Sequence, residues 1–576
     1  MNVHVRYGVP LYGWLIAALS LAALPAGAAS GTGVASAAAL SPTTSQTTAH
    51  DLGSLPGTSR VSFTLELGSR HEAQLQTLVS AGTRVSSAAW DATYGPDPAA
   101  VARARAVLSR AGLSSTWVPG DSLVTVGGPA RAVERFLHVR LDRYILQGSG
   151  TTSFYAPERT PAVPKSISRW VTAVVGPSDY PHALAAAIPH SEYGISPAEA
   201  TSFYDLTPLR KAGLDGTGTT VVFLEATVPP AADLAAYAKK FDLPPFDVKV
   251  RTDPSAWGAP ETTSTSGWAQ DAEESALDLE VVHGLAPGAR EVAYEFGDDS
   301  AIPAMVQAMI RQNPDAVLTS SYSMANCERS PGGREDAQSL NAVFEHAAAQ
   351  GTTIYFASGD RGAFACLPDG IASTEQALSV DPDVDSPYIT GVGGTSAFLA
   401  SNGSYYKEAA WGEPLETWGS GGGLSGIFKQ PSYQVAPGLG ANALPGRGVP
   451  DVACDADNDV SGWDIFEPPE SSKGTGVAEY ADGGTSAAAP CWAGITALID
   501  EDLLHKKLPE VGFANPALYD FARVPAGLPA LAFHPVTEGS NFHFLATAGW
   551  NPATGLGTPD AAHLADDFEW YERSKV

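Results

Sequence analysis

Short runs of consecutive apolar residues alternate with helical patterns through the second half of the chain. Five such runs predict strands, namely Thr220–Glu225, 292–296, 316–321, Thr353–Ala357 and 388–392. Between the runs, apolar residues recur at helical spacing, as in 271–283 and 339–349. Buried strands that alternate with helices predict a parallel β-sheet covered by helices on both faces. The predicted class is therefore α/β, with ligand sites at the carboxyl ends of the strands.

The preceding stretch predicts a smaller domain that mixes strands and helices. Alternation at 61–65 and 123–126 predicts two strands. Asp97 caps a predicted helix that Gly112 ends, and Pro129 begins a second helix. This order indicates an α+β domain. Its many arginines, beside an acidic remainder, suggest that the two parts of the chain dock. They are Arg103, Arg105, Arg110, Arg131, Arg135, Arg140 and Arg143.

The N-terminus has the layout of a signal peptide. Arg6 precedes an apolar run at 11–24, which ends in a small-residue exit at Ala28. A membrane anchor, the alternative, requires about 20 apolar residues. We therefore predict a signal peptide at 1–28, secretion to the extracellular space and no later membrane span. Residues 29–57 are rich in Ala, Ser, Thr and Gly and are predicted to be a flexible linker.

Composition narrows the class of partner. The 576 residues contain 34 Lys and Arg against 63 Asp and Glu, a net charge of -29, which argues against nucleic acid or an anionic membrane. A chain of this length predicts two or more domains. Four cysteines do not make a disulfide scaffold. Spacing leaves open whether Cys454 and Cys491 form a bridge or remain buried thiols.

The stretch 480–494 places Ser486 where a glycine turn enters a helix. Apolar residues after Pro490 recur at helical spacing and indicate that the helix is buried. A helix N-terminus offers unpaired N–H groups and a positive dipole, which suit a serine oxygen that attacks a carbonyl beside an oxyanion. The alternative is an ordinary serine N-cap on a core helix, although this stretch is longer than a cap requires.

Two acidic residues at positions i and i+4, Glu274 and Asp278, share one face of the predicted helix 271–283. Like charges placed in this way favour a raised pKa for one of them, whereas a solvated acidic face is the alternative. A carboxylate base suits an enzyme that works at acid pH. Free imidazole titrates near pKa ~6.5 and is charged in acid, whereas Glu titrates near ~4.3. The best-placed histidine is His283 at the end of the helix, where a solvated residue that favours the helix dipole is the commoner role.

Asp360 follows a buried strand in the run 356–362. A protonated carboxylic acid at this point can donate a hydrogen bond to an oxyanion, which an ionised one cannot. The alternative is an aspartate in a turn before glycine.

Taken in chain order, the pair Glu274 and Asp278, the run around Asp360 and the turn at Ser486 resemble the motifs of the sedolisin family of serine-carboxyl peptidases. Further matching runs are 386–395, 421–425, 450–453 and 549–557. The resemblance covers nearly all of the chain after the linker. It implies a subtilisin-like parallel β-sheet flanked by helices at 190–576. It also implies a small α+β, ferredoxin-like activation propeptide at 58–180, of which the run 155–164 is part.

By the same resemblance, Ser486 is the nucleophile, Glu274 the general base, Asp278 its orienting partner and Asp360 the oxyanion donor. Glu225 resembles a position that extends the hydrogen-bond chain of the family. The implied activity is endopeptidase cleavage of proteins and peptides through an acyl-enzyme at acid pH. We expect a monomer whose propeptide acts as an intramolecular inhibitor and chaperone and is removed autocatalytically.

The resemblance also bears on cysteines and metal. Cys327 and Cys366 resemble a pair that is bridged in some relatives, which implies a disulfide. Pro535 and Asn551 stand where the family has aspartate ligands of calcium. Because calcium prefers charged oxygen ligands, we predict a weak or absent calcium site and no other required cofactor.

Arg361 is a second departure, since a small or acidic residue more usually follows the oxyanion aspartate. A cation close to Asp360 would lower the pKa of that carboxyl and narrow activity to lower pH.

Two alternative functions stay open at this point. One is a histidine-dependent subtilase, in which Glu274→Gln would leave activity intact. The other is a catalytically dead secreted binding protein on the same fold.

Overall fold

The structure is a computed structural model, and it describes residues 49–146, 153–178, 194–260, 262, 268–322, 328–329, 333–366, 377–413, 418–435, 440–441, 443–467, 478–525, 527–529 and 531–575. The predicted signal peptide and most of the predicted linker lie outside these residues. So does the junction at 179–193, and the predicted boundaries 58–180 and 190–576 therefore stay predictions. Within the described ranges, no helix combines the length and apolar character that crossing a membrane requires.

The N-terminal domain is an α+β domain, as predicted. Its strands are β1 Ala49–Ser54, β2 Arg60–Leu67, β3 Ser114–Thr116, β4 Leu123–Pro129, β5 Leu141–Leu146, β6 Ser153–Pro157 and β7 Val171–Val175. Its helices are α1 Glu72–Ser80, α2 Ser87–Ala89, α3 Pro98–Arg110 and α4 Ala130–Leu137, with a π-helical turn at Trp90–Tyr94. The antiparallel order β3-β4-β2-β7 is ferredoxin-like, and β1-β5-β6 form a second sheet.

Local sequence explains where the helices of this domain begin and end. Asp97 Oδ1 accepts the N–H of Ala99 at 2.9 Å, which caps α3 as predicted. Gly112 follows the helix with φ +80°, a conformation that favours glycine. Alternate residues of β2 and the inner faces of α3 and α4 form one apolar core.

The second domain contains the predicted parallel sheet. Its strands are β8 Thr220–Glu225, β9 Lys249–Thr252, β10 Arg290–Glu295, β11 Val317–Ser320, β12 Thr353–Ala357, β13 Thr390–Leu399, β14 Tyr405–Ala410, β15 Gly412–Glu413, β16 Trp418–Gly419, β17 Gly423–Leu424, β18 Gly448–Val449, β19 Val452–Asp455, β20 Trp463–Glu467, β21 Ala478–Asp482, β22 Phe533–His534 and β23 Thr558–Pro559. Its α-helices are α5 Pro197–Phe203, α6 Thr207–Lys211, α7 Ala231–Lys240, α8 Trp268–Leu285, α9 Ile302–Gln312, α10 Gly333–Gln350, α11 Thr485–His505, α12 Asn515–Ala522 and α13 Ala561–Ser574, with 3₁₀ turns at Asp299–Ala301 and Ser432–Gln434.

The central sheet has the order β14-β13-β12-β11-β8-β10-β9, with β19 paired to β13. All of these pairs are parallel except β13 with β14. The predicted strand at 388–392 is longer in the structure, because β13 continues past β12 to pair with β14 and β19. The predicted helices at 271–283 and 339–349 also begin earlier, as α8 and α10. The α/β, subtilisin-like class is confirmed.

Helices α8 and α11 pack against each other beside this sheet, and α11 also contacts β11, β12, β13 and β19. Every residue of α11 from Thr485 to Glu501 is buried. A helix that is apolar around its whole circumference belongs in the interior of a protein. The two helices reach the carboxyl ends of β8 and β12, where Ser275 of α8 bonds to Glu225 and Thr485 of α11 bonds to Asp360.

One disulfide joins the sheet to this central helix. Cys454 of β19 and Cys491 of α11 are bonded, with sulfur atoms 2.05 Å apart, which answers the question that spacing left open. Cys366 is also disulfide-bonded. Cys327 lies outside the described residues, so the implied Cys327–Cys366 pairing stays a prediction.

The N-terminal domain lies against helices α9 and α10 of the second domain. Asp121 Oδ2 is 2.8 Å from Arg311 Nη1 on α9. The rings of Trp90 and His346 stack with centroids 4.1 Å apart. The charges of this ion pair are opposite to those expected, because the acid belongs to the arginine-rich domain. Arg140, one of the arginines noted above, pairs with acids of its own domain.

Candidate active site

Ser486 is the second residue of α11 and follows the glycine pair Gly483-Gly484 after one intervening threonine. Gly484 has φ +78°, and a Cβ at this residue would lie 2.7 Å from Asp360 Oδ2. Both the backbone conformation and the close approach therefore require glycine. Only 4% of Ser486 is exposed. The turn thus brings a hydroxyl, a carboxyl and a helix N-terminus together.

Asp360 follows β12 and is held by the residue before the serine. The N–H and the hydroxyl of Thr485 both donate to Asp360 Oδ1 at 2.8 Å. The N–H of Gly359 donates in turn to Thr485 Oγ1 at 3.0 Å. Because Oδ1 accepts two hydrogen bonds, a proton on this carboxyl group belongs on Oδ2, which faces Gly484.

Glu274 on α8 is fully buried. Among the described residues, no group makes a hydrogen bond of ordinary geometry to either of its carboxylate oxygens. Burial raises the pKa of Glu274 well above its usual value, and the negative charge of Asp278 adds to the rise. The nearby hydroxyl of Ser486 opposes it. A carboxylate with unused acceptor capacity therefore lies beside a serine hydroxyl.

Asp278 and Glu225 form the next link behind Glu274, and both are fully buried. Burial raises the pKa of Asp278 to about 8 and that of Glu225 well above its usual value. Their mutual contact lowers the pKa of Asp278 and raises that of Glu225, as expected when two carboxyl groups share one proton. Ser275 Oγ donates to Glu225 Oε2 at 2.6 Å.

Four residues near this cluster were missed by the sequence reasoning. They are Ser275, Ser321, Tyr322 and Asp482. Ser321 Oγ lies 2.6 Å from Asp278 Oδ1, and Tyr322 Oη lies 3.5 Å from Ser275 Oγ. The charge of Asp482 adds to the pKa rise of Glu274. The available signal was position, since Ser321 directly follows β11 and Asp482 ends β21.

His283, the alternative base, does not lie at this cluster. It is nine residues beyond Glu274 on α8, or about 13 Å along the helix axis. Its Nδ1 is 3.0 Å from Glu291 Oε1, and its Nε2 is 2.8 Å from the carbonyl oxygen of Pro244. The expectation of a solvated helix-end residue is wrong, because His283 is 2% exposed.

The positions implied for calcium do not fit that ion. Asn551 is buried, and its Oδ1 accepts the N–H groups of Ala553 and Thr554, both at 3.0 Å. Its Nδ2 donates to the carbonyl oxygen of Thr547 at 3.1 Å. Pro535 has no side-chain oxygen. The amide of Asn551 therefore bonds within its own loop, and neither position offers a charged oxygen ligand.

One group among the described residues could approach a metal ion with three ligand atoms, namely Asp205, His534 and Asp560. Each of these residues already has a structural role. His534 Nε2 is 3.2 Å from Asp205 Oδ2. Asp560 caps α13 by accepting the N–H of His563, whose ring Nδ1 is 2.7 Å from Asp560 Oδ2. An ion pair and a helix cap account for the group.

Comparison with known proteins assigns each of the two domains to a family. The family model of the pro-kumamolisin activation domain matches residues 47–180, and that of the subtilase family matches residues 262–510. Kumamolisin of Bacillus sp. is 30% identical over 554 residues, with 89% of this chain and 92% of that protein covered. Sedolisin of Pseudomonas sp. is 26% identical over 547 residues, covering 86% and 85%.

Matches that cover a smaller part of this chain agree with these two. Tripeptidyl-peptidase 1 of Rattus norvegicus is 35% identical over 243 residues, 39% of this chain and 38% of that protein. A solved structure of Pseudomonas sedolisin, a serine-carboxyl proteinase complexed with two molecules of pseudo-iodotyrostatin, aligns with a TM-score of 0.54 and 25% identity, covering 67% of this chain and 99% of that one. An activation domain ahead of this fold defines a peptidase made as a zymogen. The chain belongs to the sedolisin family of serine-carboxyl peptidases.

Proposed function

We propose that this peptidase zymogen is a secreted endopeptidase that acts in acid, with Ser486 as its nucleophile and Glu274 as its general base. The observation that carries the proposal is the buried carboxylate of Glu274, which keeps its acceptor capacity beside the Ser486 hydroxyl. A general base must have such capacity within reach of the proton that it removes. His283 is engaged elsewhere, which counts against the histidine-dependent alternative.

In the proposed acylation step, Ser486 Oγ forms a bond to the carbonyl carbon of the substrate while its proton passes to Glu274. The carbonyl oxygen becomes an oxyanion and accepts a hydrogen bond from protonated Asp360. Glu274 then gives its proton to the leaving nitrogen as the C–N bond breaks. Water hydrolyses the resulting ester, with Glu274 first removing a proton from water and then returning it to Ser486.

Asp278 and Glu225 support Glu274 in this scheme. A proton shared between them keeps one negative charge behind the base and prevents two full charges from accumulating in a buried site. We assign both residues a positioning role.

The same scheme supplies the reason for acid action. Asp360 must be protonated to donate a hydrogen bond, which limits activity at high pH. Glu274 must be ionised to accept a proton, so its raised pKa limits activity at low pH. Both limbs of the pH profile are then set by carboxyl groups. The profile should be bell-shaped, and its alkaline limb should reflect loss of the Asp360 proton.

The test is a pH–activity profile on a denatured protein substrate. Electrophoresis monitors cleavage of the activation domain in the same samples. We expect an acid optimum and loss of the N-terminal domain in the parent protein, and neither in Ser486→Ala. A neutral or alkaline optimum would favour a histidine base. A folded protein that cleaves nothing at any pH would favour a binding protein.

A matched pair of variants on α8 isolates the proposed base. Glu274→Gln keeps the size of the side chain and removes its ability to accept a proton. Cleavage of the protein substrate and removal of the activation domain should therefore both be lost. Glu280→Gln is the control, because the buried Glu280 accepts the N–H of Phe466 at 2.7 Å and takes no part in the scheme. Equal activity in the two variants would refute the assignment of Glu274.

A further inference from the structure

Helix α11, which carries Ser486, contains a proline four residues after that serine. In an α-helix the N–H of residue i+4 donates to the carbonyl oxygen of residue i. Residue i+4 from Ser486 is Pro490, which lies inside α11 and has no N–H. The Ser486 carbonyl oxygen therefore lacks its ordinary helical donor, although Ser486 is 4% exposed. A buried carbonyl without a donor destabilises the turn that holds it.

Ser321 supplies a replacement donor. Its Oγ lies 3.0 Å from the carbonyl oxygen of Ser486 and 2.6 Å from Asp278 Oδ1. Ser321 directly follows β11, whose neighbours β8 and β12 lead to Glu225 and Asp360. One hydroxyl thus bridges the backbone of one residue of the site and the side chain of another.

The bridge depends on the protonation of Asp278, because a serine hydroxyl has one proton and here faces two acceptors. When Asp278 is ionised, the hydroxyl donates to its carboxylate. When Asp278 is protonated, the carboxylic acid can donate to Ser321 Oγ, which frees the hydroxyl to donate to the Ser486 carbonyl oxygen. The proton on Asp278 and the backbone of the nucleophile turn are then linked through a single side chain.

We propose that Ser321 is a positioning residue that couples Asp278 to the backbone of Ser486 and so keeps the nucleophile turn in register with the acid pair. This inference rests on the proposed function, because it assumes that Ser486 and the acid pair carry out the reaction. The hydrogen bond from Ser321 favours ionised Asp278 and opposes the rise in pKa that burial causes.

The first test compares Ser321→Ala with Ser321→Thr. A hydrogen bond to a charged group is strong enough that its loss should lower kcat by about 10- to 100-fold. KM should change little, since Ser321 contacts the site from behind. The scheme requires one negative charge on the pair of Asp278 and Glu225. Without the hydroxyl the ionised pair loses a donor, so its pKa rises and the acid limb of the kcat profile, where this charge is lost, should move to higher pH. Threonine keeps the hydroxyl and should restore both kcat and the acid limb.

The matched control is Thr319→Val, two residues earlier on β11. Thr319 is fully buried, and its hydroxyl has no hydrogen-bond partner among the described residues. Removing that hydroxyl should leave kcat and the acid limb unchanged. If Ser321→Ala folds poorly, Ser321→Cys keeps the side-chain size with a weaker donor and should give a smaller loss in the same direction. Parent-like kcat and acid limb in a folded Ser321→Ala or Ser321→Cys would overturn the inference.

A second experiment separates the two halves of the bridge. Pro490→Ala returns an N–H to the position that normally donates to the Ser486 carbonyl oxygen. In the Ser321→Ala background it should recover part of kcat and leave the acid limb displaced, because Asp278 still lacks its donor. A double variant no faster than Ser321→Ala would contradict the backbone half of the inference, and full recovery of both quantities would contradict the Asp278 half.

Two results distinguish an error in the proposed function from an error in the role assigned to Ser321. If Ser486→Ala still removes its activation domain at the parent rate, the proposed function is wrong. If Ser486→Ala is inactive while folded Ser321→Ala matches the parent protein, only the role of Ser321 is wrong.

Discussion

Replacing Asp500 by asparagine should stabilise the protein at neutral pH and not in acid. Asp500 lies on α11, is 2% exposed, and accepts the N–H of Val511 at 2.7 Å through Oδ1. Burial raises its pKa from an ordinary value of 3.8 to about 8, with Glu510 adding to the rise and Arg84 opposing it. Asparagine keeps the accepting oxygen and has no charge to lose solvation.

The sign follows from proton binding. A carboxyl group whose pKa is higher in the folded state binds its proton more tightly there, so its contribution is greatest below pH ~4 and is lost as pH rises toward ~8. Between 3.8 and pH 7 lie about 3.2 pH units at ~1.36 kcal/mol each, which sets a ceiling of about 4 kcal/mol. Relaxation around buried charges reduces such figures, and we expect about 1–2 kcal/mol at pH 7.

The assay is urea unfolding at pH 4 and pH 7, carried out in the Ser486→Ala background to prevent self-cleavage. Asp500→Asn should raise the midpoint at pH 7 and leave it unchanged at pH 4. The control on the same helix is Asp502→Asn, because Asp502 is partly exposed and pairs with Lys506 at 2.6 Å. That variant should be slightly less stable at both values. An equal effect of Asp500→Asn at both pH values would refute the reasoning.

Three further predictions concern the site. Glu274→Gln should reduce the rate of self-processing by at least about 100-fold, the usual contribution of a general base, measured by the time course of loss of the activation domain. Chelators should leave folding and activity unchanged, because Pro535 and the fully bonded Asn551 do not fit calcium; a stoichiometric calcium ion detected by elemental analysis would contradict this. Arg361→Ala should move the alkaline limb to higher pH if the cation approaches Asp360, and an unchanged profile would show that the guanidinium does not act on that carboxyl group.

The elements that the sequence predicted well are those whose signal is local. Strand β12 begins and ends where apolar runs predicted it, and α3 begins at its aspartate cap. The pairing of Glu274 with Asp278 follows from helical period alone. Asp360 and Glu225 were placed near the site because each follows or ends a buried strand, and the role of Glu225 came only from the family resemblance.

What the sequence could not predict depends on tertiary contacts. Ser321 and Ser275 are ordinary serines until the fold brings carboxylates within 2.6 Å of them. His283 contacts Glu291 and the carbonyl oxygen of Pro244, which lie outside α8 and leave the helical pattern around the histidine unchanged. The pairing of Cys454 with Cys491 likewise requires that a strand and the central helix lie side by side.

That disulfide has a consequence for a peptidase that, as proposed above, cleaves its own chain. Cys454 and Cys491 are 37 residues apart in sequence. A peptide bond broken anywhere between them leaves the two fragments covalently joined, with helix α11 still tethered to the sheet. A nicked molecule would migrate as one species on a gel without reductant and as two once reductant is added. Internal cleavage in this interval can thus accumulate in a sample that appears intact, and only the reduced lane reveals it.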